Sequence, residues 1–455
     1  MAGIFKAYDI RGVYGESLTD EMAFRIGRAF VAFTGCRNVT VGRDMRPHSR
    51  PLFEALTRGL TLQGADVIDL GLVSTPMCYF GNGMLGADAG IMITASHNPR
   101  QWNGMKLTRR EAVPISAATG IEEIERLVTT GAFGPPAARP GKIVARDIAA
   151  DYRRHVQRLN ALARPIRIAV DLANAMGIVE IGALEGLLEL DCLFAELDGT
   201  FPNHEANPLL VETLRPLQAK IRSGRYDFGV AFDGDADRAG FLDERGEPIP
   251  MDMITALIAT DFLARERGVI LYDLRSSRAV REAILEHGGT PVMCRVGHAF
   301  IKQQMRELGA LFAGELSGHY YFRDNYYTES SAMAVLCVAN IVSRSDRPIS
   351  ELIRPLRRYA ASGEINIEVA DRDAVLQRLR EAYRDGKLVT LDGVRIEYDD
   401  WWFSVRASNT EPLVRLNLEA DNVELMLRRR EELLELIGGR VRGDGDDTGR
   451  GGGQQ

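Results

Sequence analysis

Apolar and polar positions along the chain repeat one rhythm. Stretches with apolar residues three and four apart alternate with short β-branched runs that end in Gly-, Ser- or Asp-rich turns. That rhythm predicts α/β layers. In the first unit, 1–145, Asp20 to Phe33 and Pro51 to Gly64 are predicted helices, and VTVGRD (Val39 to Asp44) and ADVIDLG are strands. AGIMITASHNP places a further strand directly before Ser96. The second unit, 146–245, opens with an amphipathic helix near Ile148. It continues through PIRIAVDLANAMG, a strand, a small-residue turn and a helix, and closes at YDFGVAFDGDADR. The third, 246–358, holds GVILYDLRSS, a helix from Arg278, the PVMCRVGH strand and turn, and GALFAGELSGH.

The last unit, 359–441, breaks the rhythm. Thr390 to Ala420 alternates like an antiparallel sheet with Asp392-Gly393 as a hairpin turn, and a charged amphipathic helix follows, so this unit is α+β. The tail 442–455 has almost nothing apolar to bury and is predicted to be disordered. The units are alike in rhythm, but no sequence repeat is strong enough to prove duplication.

Composition narrows the function classes. The 455 residues are 45% hydrophobic and 26% charged with a net charge of -7, and basic residues form no long runs. This excludes a nucleic-acid or anionic-membrane footprint and favours small-molecule partners. The N-terminus lacks the features of a secretory signal and no apolar run reaches membrane-spanning length, so a soluble, cytoplasmic protein is expected. Cys36, Cys78, Cys192, Cys294 and Cys337 are far apart and form no CxxC pair, so all are expected as buried thiols.

Four segments carry chemistry. In Asp233-Gly-Asp-Ala-Asp-Arg238, three carboxylates at alternate positions follow the strand FGVAF, at the sheet edge where open α/β folds bind ligands, and can converge on one hard cation such as magnesium. An EF-hand reading, with Glu244 as the last ligand, fails because Arg238 stands where that loop needs Gly and a strand replaces the entering helix. Ser96 sits at a strand end beside His97, with Asn103, Gly104 and Lys106 following. Such a serine can carry a phosphoryl group if a cation neutralises its oxygens, although a turn hydroxyl before Asn-Pro has the same look. Glu315, Ser317 and His319 are suited to gripping sugar hydroxyls. Arg406, Ser408, Asn409 and Thr410 can surround a phosphate dianion.

With KAYDIRG, TASHNP, DGDADR, GELSGH and RASNTEP in this order, the chain closely resembles the α-D-phosphohexomutase superfamily, and within it the bacterial phosphomannomutases, some of which accept glucose phosphates. The resemblance implies three α/β domains with mixed sheets plus a C-terminal α+β domain around a central cleft. It makes Ser96 the phosphorylated residue, with Asp233, Asp235 and Asp237 holding Mg2+ together with a phosphoserine oxygen, and Arg238 completing the loop. It assigns Glu315 and Ser317 to the sugar's 3- and 4-hydroxyls, and Arg406, Ser408, Asn409 and Thr410 to the non-reacting phosphate. Tyr8 and Arg11 line the cleft, and Lys106 and His298 handle protons or stabilise charge. Where many relatives carry Asp-x-Lys, this chain has Asp273-Leu274-Arg275, so only a charge role carries over to Arg275.

The implied reaction passes through a hexose 1,6-bisphosphate, which should act as activator, and the implied partners are hexose phosphates acting on a monomer or homodimer. Leu316 in the sugar loop favours mannose or glucose phosphates over glucosamine phosphates, where relatives carry Gln. A metal-dependent phosphatase would use the aspartates but leave RASNT and GELSGH without a joint purpose. A silent sugar-phosphate sensor would need neither Ser96 nor the aspartate triad.

Overall fold

The computed structural model describes residues 3–407 and 413–442. In the first unit, Ile10–Val13 (β1), Asn38–Arg43 (β2), Asp66–Leu72 (β3), Ala89–Ile93 (β4), Trp102–Arg109 (β5) and Ile143–Ala145 (β6) form one sheet, ordered β1-β5-β4-β2-β3-β6. β2 pairs parallel with β3 and β4, whereas β5 runs antiparallel to β4 and β1. In the second, Arg167–Asp171 (β7), Glu189–Leu193 (β8), Phe228–Phe232 (β9), Ala239–Leu242 (β10) and Pro248–Ile249 (β11) are ordered β11-β10-β9-β7-β8. In the third, Val269–Asp273 (β12), Thr290–Cys294 (β13), Phe312–Gly314 (β14), Tyr320–Phe322 (β15) and Thr328–Glu329 (β16) are ordered β13-β12-β14-β15-β16.

The same path is thus drawn three times. β4, β9 and β14, whose ends carry the polar motifs, each have a parallel neighbour on one side and an antiparallel one on the other. The repeat that the residues leave unproven is plain in the topology.

The fourth unit is an antiparallel sheet of Ala360–Ala361 (β17), Ile365–Glu368 (β18), Lys387–Val389 (β19), Val394–Glu397 (β20), Trp401–Ala407 (β21), Leu413–Ala420 (β22) and Arg440–Val441 (β23). Helices Arg372–Ala382 and Val423–Ile437 pack on it through Leu379, Leu433 and Ile437.

Local chemistry sets the helix ends. The helix Asp20–Thr34 begins where Thr19 Oγ1 accepts the Met22 amide at 3.2 Å, carries Asp20 and Glu21 in its first turn, and stops at Gly35. Its Ala23, Ile26 and Phe30 are buried, as their spacing predicts. The predicted helix Pro51 to Gly64 runs Ser49–Leu62. β5 was not predicted, because it is buried on both faces and its apolar signal is short: only Met105 and Leu107 alternate, with Lys106 and Thr108 enclosed on the opposite face.

One continuous apolar core joins the first three units, from Phe80 through Tyr152, Phe232 and Phe241 to Tyr320 and Phe322. The fourth has its own, around Trp401, Phe403, Leu416 and Leu433. Polar contacts tie it to the third: Arg278 donates to the Asp399 and Trp401 carbonyls at 2.7 and 2.8 Å, and Arg395 to the Leu274 carbonyl at 2.5 Å. Cys36, Cys78, Cys294 and Cys337 are buried, but Cys192 is only half-buried, because β8 is an edge strand. Arg442, expected to open the disordered tail, is held: its amide donates to the Asn366 carbonyl at 2.9 Å. The tail beyond it lies outside the described residues. Among the described residues no helix is long and apolar enough to cross a membrane.

Candidate active site

Ser96 follows β4 in a left-handed conformation, φ 51°, which is costly for a residue with a Cβ, on the order of 1–3 kcal/mol. Surrounding contacts hold it there. Thr94 Oγ1 accepts the Ser96 amide at 2.9 Å, and Arg46, itself buried, reaches under the turn. Its guanidinium donates to the carbonyls of Ser96 (2.8 Å), Asn98 (2.6 Å), Pro99 (2.9 Å) and Trp102 (3.1 Å), and faces Asp44 at 3.3 Å. Arg11 pairs with Asp9 at 2.8 Å and donates to the Asn98 side chain, bracing the same turn. The result is a hydroxyl 1% exposed that donates to Asp233 Oδ2 at 2.8 Å, with His97 Nδ1 3.3 Å away.

Asp233, Asp235 and Asp237 leave the end of β9, and one oxygen from each lies within 4.8 Å of the other two. All three are buried. Gly234 permits the junction with the first unit, since a Cβ there would lie 2.3 Å from the Ser96 carbonyl oxygen. Lys106, from β5, donates to Asp235 Oδ2 at 2.7 Å and Asp237 Oδ2 at 2.5 Å, and the Thr75 hydroxyl to Asp235 Oδ2 at 2.6 Å. Asp235 Oδ1 has no hydrogen-bond partner among the described residues. Buried carboxylate oxygens left without donors are strongly disfavoured, so this all-oxygen set fits a hard divalent cation. Glu244 is elsewhere, accepting the Ser350 hydroxyl at 2.6 Å, which removes the EF-hand alternative.

Charge within the cluster follows from its packing. Burial disfavours the Lys106 cation, but Asp235 and Asp237 raise its pKa above the ordinary lysine value, so it stays charged. Burial also works against ionisation of Asp237, yet Lys106, His319 and Arg238 hold it well below the usual range.

His319 joins this loop to the third unit. Its Nδ1 is 2.9 Å from Ser317 Oγ and 3.2 Å from Glu315 Oε2; its Nε2 is 3.3 Å from Asp237 Oδ1 and 3.4 Å from Arg238 Nε. Burial opposes the imidazolium, but Asp237 and Glu315 lift it to about 9. Glu315 also accepts the Tyr321 hydroxyl at 2.6 Å and the Gly297 amide at 3.2 Å. His298, the first residue of helix His298–Leu308, meets Tyr8 edge-on at 5.7 Å. Burial, then the charges of Lys302 and Lys106, keep its pKa well below the ordinary histidine value, so the ring is neutral.

A second cluster lies at the seam with the fourth unit. Arg275 donates its amide to Asp273 Oδ1 and its guanidinium to Asp273 Oδ2, both at 2.7 Å, and faces Glu364 at 3.5 Å. Arg406 faces the same Glu364 at 3.4 Å. Ser408, Asn409 and Thr410 lie outside the described residues.

The structure therefore gathers Ser96, Lys106, the three aspartates, Arg238, Glu315, Ser317 and His319 into one site, with Arg11 bracing it and Tyr8 and His298 beside it. Arg275 and Arg406 form the separate cationic cluster. Sequence reading missed Arg46, Thr75 and Glu364. Arg46, two residues past the VTVGRD turn, had only its position after a strand end to mark it.

Family models for phosphoglucomutase/phosphomannomutase match in four parts: alpha/beta/alpha domain I over residues 2–134, domain II over 150–246, domain III over 250–359 and the C-terminal domain over 364–436. A phosphomannomutase of Salmonella montevideo is 39% identical over 449 residues, covering 95% of this chain and 98% of the relative. One from Methanocaldococcus jannaschii is 37% identical over 442 residues, covering 95% and 97%. The crystal structure of a phosphoglucomutase/phosphomannomutase family protein from Burkholderia thailandensis superposes with a TM-score of 0.89 at 33% identity, covering 96% of this chain and 98% of that one. With all four parts matched in order and relatives aligned along nearly their whole length, the chain belongs to the phosphoglucomutase/phosphomannomutase family.

Proposed function

We propose that the chain is a phosphomannomutase, an isomerase that interconverts mannose 1-phosphate and mannose 6-phosphate through a phosphorylated Ser96, with glucose phosphates as further substrates. The observation that carries this reading is the enclosed Ser96 hydroxyl 2.8 Å from Asp233, where the first two units meet beside a buried carboxylate triad. Asp233, Asp235 and Asp237 would hold magnesium, which when bound supplies concentrated positive charge against phosphoryl oxygens.

Transfer breaks the bond between Ser96 Oγ and phosphorus and forms one to the free hydroxyl of the hexose monophosphate, whose proton leaves to a base. His298, beside Tyr8 and with an Nδ1 that has no hydrogen-bond partner among the described residues, is the candidate for that role. Lys106, held as a cation between Asp235 and Asp237, and Arg238 stabilise the charge on the moving group. Glu315, Ser317 and His319 receive sugar hydroxyls. Arg275, Arg406, Ser408, Asn409 and Thr410 hold the non-reacting phosphate, and Tyr8 and Arg11 line the cleft between. The hexose 1,6-bisphosphate then turns over and returns its other phosphate to Ser96; if it escapes, the enzyme is left unphosphorylated, so added bisphosphate activates. We read the protein as cytoplasmic, a monomer or homodimer, with hexose phosphates as partners and neither nucleic acid nor membrane.

The test is a coupled assay of the purified protein with magnesium, a trace of glucose 1,6-bisphosphate and either mannose 1-phosphate or glucose 1-phosphate, with intact-mass analysis of Ser96. Formation of both 6-phosphates, the higher kcat/KM for mannose, is expected, and Ser96→Ala should bind substrate without turning it over. Release of inorganic phosphate without isomerisation would instead establish a phosphatase.

A further inference from the structure

Glu364 lies between β17 and β18, at the entry to the fourth unit, and nothing in the proposed reaction uses it. Its Oε2 is 3.5 Å from Arg275 Nη1 and 3.4 Å from Arg406 Nη2, and its Oε1 is 3.7 Å from Arg415 Nη1. Arg275 comes from the third unit. Arg406 and Arg415 stand directly opposite each other on β21 and β22, a placement of like charges that disfavours the sheet unless an anion lies between them.

Two features make this anion replaceable. The separations exceed the roughly 2.7–2.9 Å of optimal guanidinium–carboxylate hydrogen bonds, so Glu364 is held by charge more than by fitted bonding. In addition, Nε of both Arg406 and Arg415 is buried without a hydrogen-bond partner among the described residues, leaving donors unused. The cationic charges of Arg275, Arg406 and Arg415 are also already balanced by Asp273, Asp392 and Glu364. A phosphate dianion entering a balanced cluster must expel a carboxylate. Asp273 is the most firmly held of the three, through Arg275 at 2.7 Å and the Leu316 amide at 2.8 Å.

We propose that Glu364 is an internal stand-in for the substrate's phosphate: its carboxylate occupies the arginine cluster when no hexose phosphate is bound and is displaced when one enters. The inference rests on the reading of Arg275 and Arg406 as phosphate ligands. Glu364 is thus a positioning residue that keeps three cations from repelling one another and the fourth unit docked on the third. The same contact weakens substrate binding, because Glu364 competes for the guanidiniums.

Calorimetric titration of mannose 6-phosphate into Ser96→Ala protein, which cannot accept or return phosphate, tests this. Adding Arg406→Ala should abolish binding; retained affinity would overturn the phosphate-cluster reading itself. With that control in place, adding Glu364→Gln should tighten binding roughly tenfold, as removal of a close like charge predicts. Glu364→Asp, which withdraws the carboxylate by one methylene, should tighten it roughly threefold and guards against loss of fold in the first variant. In otherwise wild-type enzyme Glu364→Gln should lower KM without raising kcat. Unchanged or weaker binding in a folded Glu364 variant overturns the stand-in role and leaves Glu364 as a support for Arg406.

Discussion

Replacing Gly234 by Ala probes whether the site depends on the contact between the first two units. The new Cβ would lie 2.3 Å from the Ser96 carbonyl oxygen, 3.1 Å from the Ser96 carbonyl carbon and 3.8 Å from the His97 amide nitrogen. All three are backbone atoms, so no side chain can swing away. Relief requires the aspartate loop and the serine turn to part by about 1 Å, and an error of that size between reacting groups costs on the order of a hundredfold in rate. Arg46 pins the serine turn through four carbonyls, so the shift falls largely on the aspartates and stretches the 2.8 Å contact between Ser96 and Asp233. Steady-state kinetics with mannose 1-phosphate should show kcat reduced on the order of a hundredfold with KM changed much less, since Arg406, Glu315 and Ser317 are untouched. A kcat within about threefold of wild type in a variant that binds magnesium normally would refute the argument that this backbone contact sets the geometry of transfer.

Further outcomes follow from other contacts. Arg46→Met leaves Asp44 buried and four carbonyls without their donor, so urea unfolding should show a loss of about 3–5 kcal/mol together with poor phosphorylation of Ser96; a loss below about 1 kcal/mol would mean the turn supports itself. His155, buried between Asn325 and Arg158, is lowered from 6.5 to about 4 by burial and then by Arg158. The unfolded chain therefore takes up a proton first, and stability is lost as pH falls from about 6.5 to about 4. His155→Gln should flatten that loss by about 3 kcal/mol, read from urea midpoints at several pH values, and identical pH profiles for the two proteins would contradict it. Chelation with EDTA should stop isomerisation and added magnesium restore it, and Asp235→Asn should raise the magnesium concentration needed; full activity in EDTA would remove the cation from the proposal.

What could be read from the residues was what lies close together along the chain. Asp233, Asp235 and Asp237 announce themselves because the chemistry is packed into a few positions behind a β-branched run, and Ser96 stands equally close behind its strand. Contacts between distant segments left no such mark. Arg46 meets Ser96 across 50 positions and Thr75 meets Asp235 across 160, and neither has a local pattern that predicts its partner. β5 escaped notice because only Met105 and Leu107 carry its apolar alternation, and its other face buries Lys106 against the site. Glu364 reads as an ordinary acidic residue before a strand until Arg275 and Arg406 are placed around it.

The separate core of the fourth unit bears on how the cleft opens. Because that unit meets the third mainly through guanidinium, carboxylate and carbonyl groups, parting them hydrates polar surface and leaves both apolar interiors sealed. Opening should therefore carry little heat-capacity change, since that quantity tracks apolar exposure. Ionic strength, which screens partly exposed charges over roughly 10 Å at 0.1 M, should instead be what moves the balance between open and shut forms.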